Sequence, residues 1–484
     1  MICGGCGWRS RPGSPKPGGM TTFSAVVTTG IYCRPGCGAK PLAENVRTFE
    51  LAAHAEAAGF RACLRCRPYR VAGPVAADAP ELVCRAVQLI IAGALDSGTE
   101  AALGARLALS PRHLRRLFHE HLGVTPNQLA RSRRAHFARR LLDDSDLTVA
   151  DVAFAAGFGS VRQFNREMRL VFRASPVELR DRRRRADRLV ADGGLVMRLP
   201  FTPPLHWDAL LGFLSARAVP GVESVRDGVY RRTISLDGEA GVLEVRRGGP
   251  DHLLLWAHLP FWEGLIHVVE RVARVFGVDA DLAPAEAALA DDPVIGPLIA
   301  ARPGLRVPGA WGVFEVAVDA VLGQHSPRAE VRAQLAALVA AAGSPVHGLD
   351  GGLTHLFPSA TTLADADLLS LGLPDTAATT LRAFATAVAA DETLLDAGAT
   401  LADLTRRLRA QPGITAATAH HIALRLGHPD AFPDTVAART TTDPERWRPW
   451  RALAAIHLIT AGEPGREAPA DTALGTWTPH RVGT

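Results

Sequence analysis

Thr28-Thr29-Gly30-Ile31-Tyr32-Cys33-Arg34-Pro35-Gly36-Cys37, answered by Gly59-Phe60-Arg61-Ala62-Cys63-Leu64-Arg65-Cys66, is the stretch on which the amino-terminal fold turns. Cys33-x3-Cys37 and Cys63-x2-Cys66 are close pairs separated by 25 residues. Paired thiolates at such spacings suit a tetrahedral Zn²⁺ in a closed four-sulfur site. The chain has 7 Cys, of which Cys84 stands alone in an apolar helical stretch, as a small core residue does. That number and placement do not suit a secreted disulfide scaffold. Cys3-Gly4-Gly5-Cys6 reads as a fortuitous pair. The pattern predicts a strand in Thr21–Cys33, leading into the first pair, followed by a helix through Val46 to Ala58 between the pairs.

Outward from this stretch the 484 residues divide further. Residues 1–20 read as a disordered leader with Met20 a plausible initiator, and 21–72 form the cysteine domain. Residues 80–188 are helical and end on the run Arg182-Arg183-Arg184-Arg185, expected to be a solvated hinge. Alternating runs such as VYRRTISL and HLLLWAHL predict antiparallel strands in a small α/β domain over 195–300. Helical periodicity returns over 301–465, and 466–484 is a loose tail. The expected class is multidomain α+β: a small four-cysteine zinc domain, an all-α double helix-turn-helix, a small α/β domain and an all-α helix-hairpin-helix domain.

Composition excludes several classes. Hydrophobic residues are 47% and charged residues 21%, ordinary globular usage that rules out a wholly disordered chain. No apolar run approaches the roughly 18 residues of a membrane span, and no signal peptide is evident, so no membrane partner and a cytoplasmic location are expected. The net charge of +5 is unevenly placed: Pro111–Val190 holds 18 Arg against 9 acidic residues, leaving the remainder negative. Such asymmetry marks a localised nucleic-acid footprint. Lys occurs only at positions 16 and 40, a bias that a GC-rich genome explains.

Two helix-turn-helix patterns lie in that basic segment. The first spans Ala101–Gly123, with Ser110 as N-cap and Pro111 at the first helical position; the second spans Thr148–Phe172, with Gly157 in the turn and Ser160 as cap. Their second helices open with Arg112, His113 and Arg115, then Arg162, Gln163, Asn165 and Arg166, side chains suited to base edges and phosphates in a major groove of double-stranded DNA. The segment resembles an AraC-type regulator domain over residues 81–185, most diagnostically at Val161–Pro176. An activator of this type implies RNA polymerase as a partner.

The cysteine stretch, with Glu44-Asn45-Val46 between its pairs, resembles the amino-terminal domain of Ada-type alkylation-response proteins. The resemblance implies that Cys33 is both a zinc ligand and a methyl acceptor for DNA methylphosphotriesters, and that Thr29, Lys40 and Arg61 contact the DNA backbone. A family position after the second cysteine, basic or Pro there, is Gly38 here. A zinc-bound thiol is ionised at neutral pH, as a sulfur nucleophile must be. A purely structural zinc is the competing reading of the same cluster.

Residues 195–461 resemble an AlkA-type 3-methyladenine DNA glycosylase through RPGLRVPGAW (Arg302–Trp311), AVLGQ (Ala320–Gln324), HPDAFP (His428–Pro433) and ERWRPWRAL (Glu445–Leu453). That family flips an alkylated base into an aromatic pocket while a helix-hairpin-helix, here at Gly413, grips phosphates. Several family positions are changed. The carboxylate expected four residues after Phe432 is Val436, and Asp434, a displaced candidate, lies two positions early. The second hairpin glycine is Thr415, two pocket aromatics are Ala417 and Ile459, and the apolar wedge is His325. Trp447 and Trp450 are read as core. Thr478-Pro479-His480-Arg481-Val482 resembles an alkyltransferase site without its cysteine and is read as coincidence. Two functions remain: an alkylation-response repair protein and transcriptional activator carrying a glycosylase domain, active or decayed, or a non-catalytic zinc-containing transcription factor with a pseudo-glycosylase.

Overall fold

The computed structural model describes residues 23–34, 37, 41–63, 80–183, 188–189, 194–396, 398–437, 440 and 442–462. Lys40, Cys66, Cys3, Cys6, Arg184, Arg185 and the Thr478–Val482 stretch lie outside the described residues.

The first unit is a four-stranded sheet in the order β3-β1-β2-β4, made of β1 (Phe23–Val26), β2 (Ile31–Cys33), β3 (Val46–Phe49) and β4 (Arg61–Ala62), with α1 (Ala52–Ala57) ahead of β4. The single helix expected over Val46–Ala58 is instead a strand followed by a short helix. Val46-Arg47-Thr48-Phe49 carries β-branched and aromatic residues and pairs antiparallel with β1, so the sheet edge decides its conformation. Gly30, at φ +63°, lets the β1–β2 turn close. Phe23, Tyr32, Phe49 and Phe60 are buried together.

Seven helices follow: α2 (Glu81–Ile91), α3 (Glu100–Arg106), α4 (Pro111–Leu122), α5 (Pro126–Asp144), α6 (Val149–Ala155), α7 (Val161–Phe172) and α8 (Pro176–Asp181). Both helix-turn-helix patterns form where expected. The Ser110 side chain accepts from His113 N and the Ser160 side chain from Gln163 N, satisfying amides that the first turn leaves without partners. Gly157 takes φ +77° in the second turn. The long helix α5 is the spine: apolar contacts of the first pattern end on Leu129 and Ala130, those of the second on Ala135, Ala138, Leu141 and Leu142. Cys84 is half-buried on α2, not in the core, and its thiol is pushed up by burial. In the run expected to be a solvated hinge, Arg183 is held, donating to Ser145 O at 2.8 Å and Asp146 at 2.7 Å.

The third unit is an antiparallel sheet in the order β5-β9-β8-β7-β6, comprising β5 (Leu195–Pro200), β6 (Glu223–Arg226), β7 (Val229–Leu236), β8 (Glu239–Arg247) and β9 (His252–His258). The helices α9 (Trp207–Arg217) and α10 (Leu265–Val275) accompany it; Trp207 stacks on Phe276, which also meets the Tyr230 ring edge-on. The last unit is helical: α11 (Ala283–Leu289), α12 (Ile295–Ala301), α13 (Val313–Gly323), α14 (Arg328–Ala342), α15 (Ala360–Asp365), α16 (Asp375–Ala390), α17 (Leu401–Arg409), α18 (Ala416–Arg425), α19 (Asp434–Ala437) and α20 (Arg451–Ala461). Buried Arg232 of β7 joins these units by donating to both Glu315 oxygens at 2.9 Å. None of the described helices is long and apolar enough to cross a membrane.

Candidate metal centre and nucleic-acid interface

The parallel pairing of β2 with β4 brings the cysteines together. Tyr32 lies opposite Ala62 and Cys63 N donates to Tyr32 O at 2.9 Å, so Cys33 and Cys63 leave adjacent strand ends side by side. A turn in which Cys37 N donates to Arg34 O swings the third thiol toward them. The Cys33, Cys37 and Cys63 sulfurs all lie within 4.8 Å of one another. Sulfurs at about 2.3 Å from a tetrahedral zinc stand about 3.8 Å apart, so three donors are within about an ångström of that arrangement and the set fits zinc. Cys33 is the most enclosed of them, at 7% exposure.

Tyr32, beside Cys33, is fully buried, and its hydroxyl lies 2.7 Å from Glu56 and 3.2 Å from His136 of α5. His136 in turn reaches Glu56 at 2.5 Å and meets the Phe172 ring of α7 edge-on. The metal unit is thereby seated on the spine of the regulator. Nothing in the local spacing of Tyr32, Glu56 and His136 announces this triad, since its members lie on three elements. Of the backbone-contact positions, Thr29 is exposed on the β1–β2 turn and Arg61 is half-buried, donating to Ala62 O at 3.3 Å.

On the paired motifs, Arg112, Arg162 and Arg166 are exposed, while His113 and Gln163 are half-buried. Three side chains are engaged internally: Arg115 pairs with buried Glu100, Asn165 donates to Val161 O at 2.9 Å and Arg166 pairs with Glu167 at 3.2 Å. Glu100 also accepts from the Asn127 side chain at 2.6 Å, so it positions Arg115 rather than neutralising an open face.

In the last unit α17 and α18 form the hairpin. Gly413, exposed at φ +80°, faces Thr380, whose hydroxyl a Cβ would overlap. Thr415, in the place of the second glycine, is the N-cap of α18 and accepts from Thr418 N. Gln324 binds the hairpin to the end of α13 by donating to Gly413 O at 2.7 Å and accepting from the Thr418 hydroxyl at 2.7 Å. Asp434 is exposed at the start of α19, whereas Val436 is 3% exposed and belongs to the core. Half-buried His420 is pulled below its usual range by burial, an effect that the Asp434 charge opposes. Trp447 is fully buried as expected, and Trp450 is half-buried.

Comparison with known proteins matches this architecture unit by unit. The metal binding domain of Ada matches residues 20–69, a helix-turn-helix domain residues 103–182 and the AlkA N-terminal domain residues 196–312. The chain is 39% identical to the probable bifunctional transcriptional activator/DNA repair enzyme AlkA of Mycobacterium tuberculosis, over 91% of this chain and 92% of that protein. It is 32% identical to DNA-3-methyladenine glycosylase 2 of Escherichia coli over 54% of this chain and 95% of that protein. With the bifunctional transcriptional activator/DNA repair enzyme Ada of the same organism it shares 36% identity over 32% of this chain and 42% of that protein.

Proposed function

Because the chain belongs to the family of bifunctional transcriptional activator/DNA repair enzymes, with Ada-like zinc and helix-turn-helix domains fused to an AlkA-like glycosylase region, we propose that its first unit repairs DNA methylphosphotriesters by accepting their methyl group on Cys33. The observation that carries this is the convergence of the Cys33, Cys37 and Cys63 sulfurs at the ends of β2 and β4. Zinc held there with Cys66 as fourth ligand would keep the thiols ionised. The Cys33 sulfur attacks the methyl carbon of the triester; an S–C bond forms, the C–O bond breaks and the electron pair leaves on the phosphodiester oxygen. Cys33 becomes a thioether and the DNA regains its negative charge. The residual exposure of Cys33 restricts attack to a methyl delivered by a backbone docked across the Thr29 turn and Arg61.

The same transfer removes one negative charge from the cysteine cluster beside the phosphates, which strengthens DNA binding. Two basic motifs on one spine, with exposed Arg112 and Arg162 at the start of their second helices, then hold a promoter for activation with RNA polymerase. Lys40, His113, Arg115, Gln163, Asn165 and Arg166 complete the proposed contacts, and Gly413 contributes the hairpin backbone. In the glycosylase unit the register position for the carboxylate is buried Val436, so base release rests on Asp434 alone and is expected to be weak. The proposal is tested by incubating the zinc-loaded chain with duplex carrying labelled methylphosphotriesters. Label passes to the protein once per chain, and Cys33→Ser takes none. Undiminished labelling of Cys33→Ser overturns it.

A further inference from the structure

A cleft of about 670 Å³ lies between the regulator and the α/β unit, well within the size of small-ligand sites. The end of α2 (Ile91, Ala92), the strand β7, the helix α10 and the start of α13 line it. It is separate from the hairpin: α13 meets the cleft at Val313 and the hairpin at Gln324, about 16 Å away for a helix of that length.

Among the described residues, its carboxylates and arginines do not hydrogen-bond to one another. Two carboxylates line the cleft, and each is taken by an arginine outside the lining: Glu270 by Arg133 at 2.5 Å, and Glu315 by Arg232 through two bonds at 2.9 Å. Two arginines also line it, Arg271 and Arg274, one turn apart on α10, and neither guanidinium makes a hydrogen bond or ion pair among the described residues. Arg271 rests over the Trp311 ring at 5.5 Å, which the Arg232 guanidinium also approaches at 5.0 Å. The remaining titratable group, His267, spends one ring nitrogen on Asp96 at 2.5 Å. Burial draws both guanidinia below their ordinary range; the Glu315 charge opposes this at Arg271, while at Arg274 repulsion from Arg271 adds to it and the Glu270 charge opposes it. Arg271 is exposed and Arg274 half-buried, so both guanidinia stand at the mouth of the cleft where an entering solute can reach them.

We propose that this cleft is an anion site in which Arg271 and Arg274 together clamp a phosphate group. Planar guanidinium forks one helical turn apart match the several oxygens of a phosphate. The phosphate is either that of a small phosphorylated metabolite or one from a DNA backbone.

Isothermal titration of the full-length, zinc-loaded chain with inorganic phosphate, against chloride at equal ionic strength, tests the site. Saturable one-to-one binding is expected, weakened at least tenfold in Arg271→Gln/Arg274→Gln. The variant keeps its far-ultraviolet dichroism and its methyl acceptance, because neither arginine belongs to the metal centre or the recognition helices. A short unmodified duplex identifies the source: displacement of phosphate from the natural chain assigns the site to DNA backbone, and undisturbed phosphate assigns it to a small metabolite. No saturable phosphate binding, or equal binding by the folded double variant, overturns the proposal.

Discussion

Cys33 and Tyr32 sit next to each other on β2 and face opposite ways, as neighbours on a strand must. One joins the thiols and the other is buried against Glu56 and His136. Removing the hydroxyl in Tyr32→Phe leaves Glu56 and His136 short of a partner in a part-buried setting, which costs about 1–3 kcal/mol. Chemical denaturation should show that loss while the phenyl ring still fills the core. An unchanged midpoint would mean that the triad does not hold the metal unit on α5. The Cys33 charge makes a second expectation. Methylated protein should bind its promoter more tightly than unmethylated protein at physiological salt, with the two forms differing in salt slope. Equal affinities across a salt series would remove the electrostatic switch. The convergence of Cys33, Cys37 and Cys63 was legible from spacing; the Tyr32 triad was not, because Glu56 and His136 come from α1 and α5 and only tertiary packing brings them together.

At the level of elements, local chemistry decided how much could be read. Ser110, Pro111, Gly157 and Ser160 act within a turn of where they stand, so both helix-turn-helix motifs were readable without tertiary information. Val46–Phe49 was misread as helix because its conformation depends on pairing with β1, some twenty residues earlier in the chain. The Gln324 bridge to Gly413 spans 89 residues and leaves no local signal. Gly413→Ala combines a positive φ with a Cβ that overlaps Thr380, and should destabilise the last unit by roughly 1–3 kcal/mol. A melting curve for the variant that matches the natural chain would show that the hairpin does not need this turn. Asp292 supplies a pH test. Burial works against its charge, but it is outweighed by the amides of Ile295 and Val294, the Trp447 indole and Arg446, so its carboxyl is held below the usual range. A depressed carboxyl stabilises the fold above its unfolded pKa and loses that contribution as pH falls below about 4. Asp292→Asn should therefore flatten the stability loss between neutral and acid pH; an unaltered profile would place the acid sensitivity elsewhere.

Over the whole molecule the regulator and the glycosylase half are joined by more than a linker. Arg133 meets Glu270, Asp96 receives both Arg134 and His267, and buried Asp144 accepts from Arg198 N at 3.1 Å and Arg198 Nη1 at 2.9 Å. A fragment ending before Leu195 leaves Glu270 and Arg198 behind, and should melt below the full chain; equal melting temperatures would show the two halves to be independent. Motifs placed the four units in order, but the charge ledger of the seam could not be read without the fold. The glycosylase half should release little 3-methyladenine, since a core valine cannot supply the several kcal/mol that a preorganised carboxylate gives a developing sugar cation. Strong release that vanishes in Asp434→Asn would make Asp434 the catalyst. The central claim, that repair and signalling meet at one sulfur, is most directly tested by peptide mapping of the intact, zinc-loaded chain after incubation with methylphosphotriester DNA. One methyl group on the peptide carrying Cys33, and none on those carrying Cys37, Cys63 or Cys66, is the expected result. Methyl on any other cysteine, or on no residue at all, would contradict it.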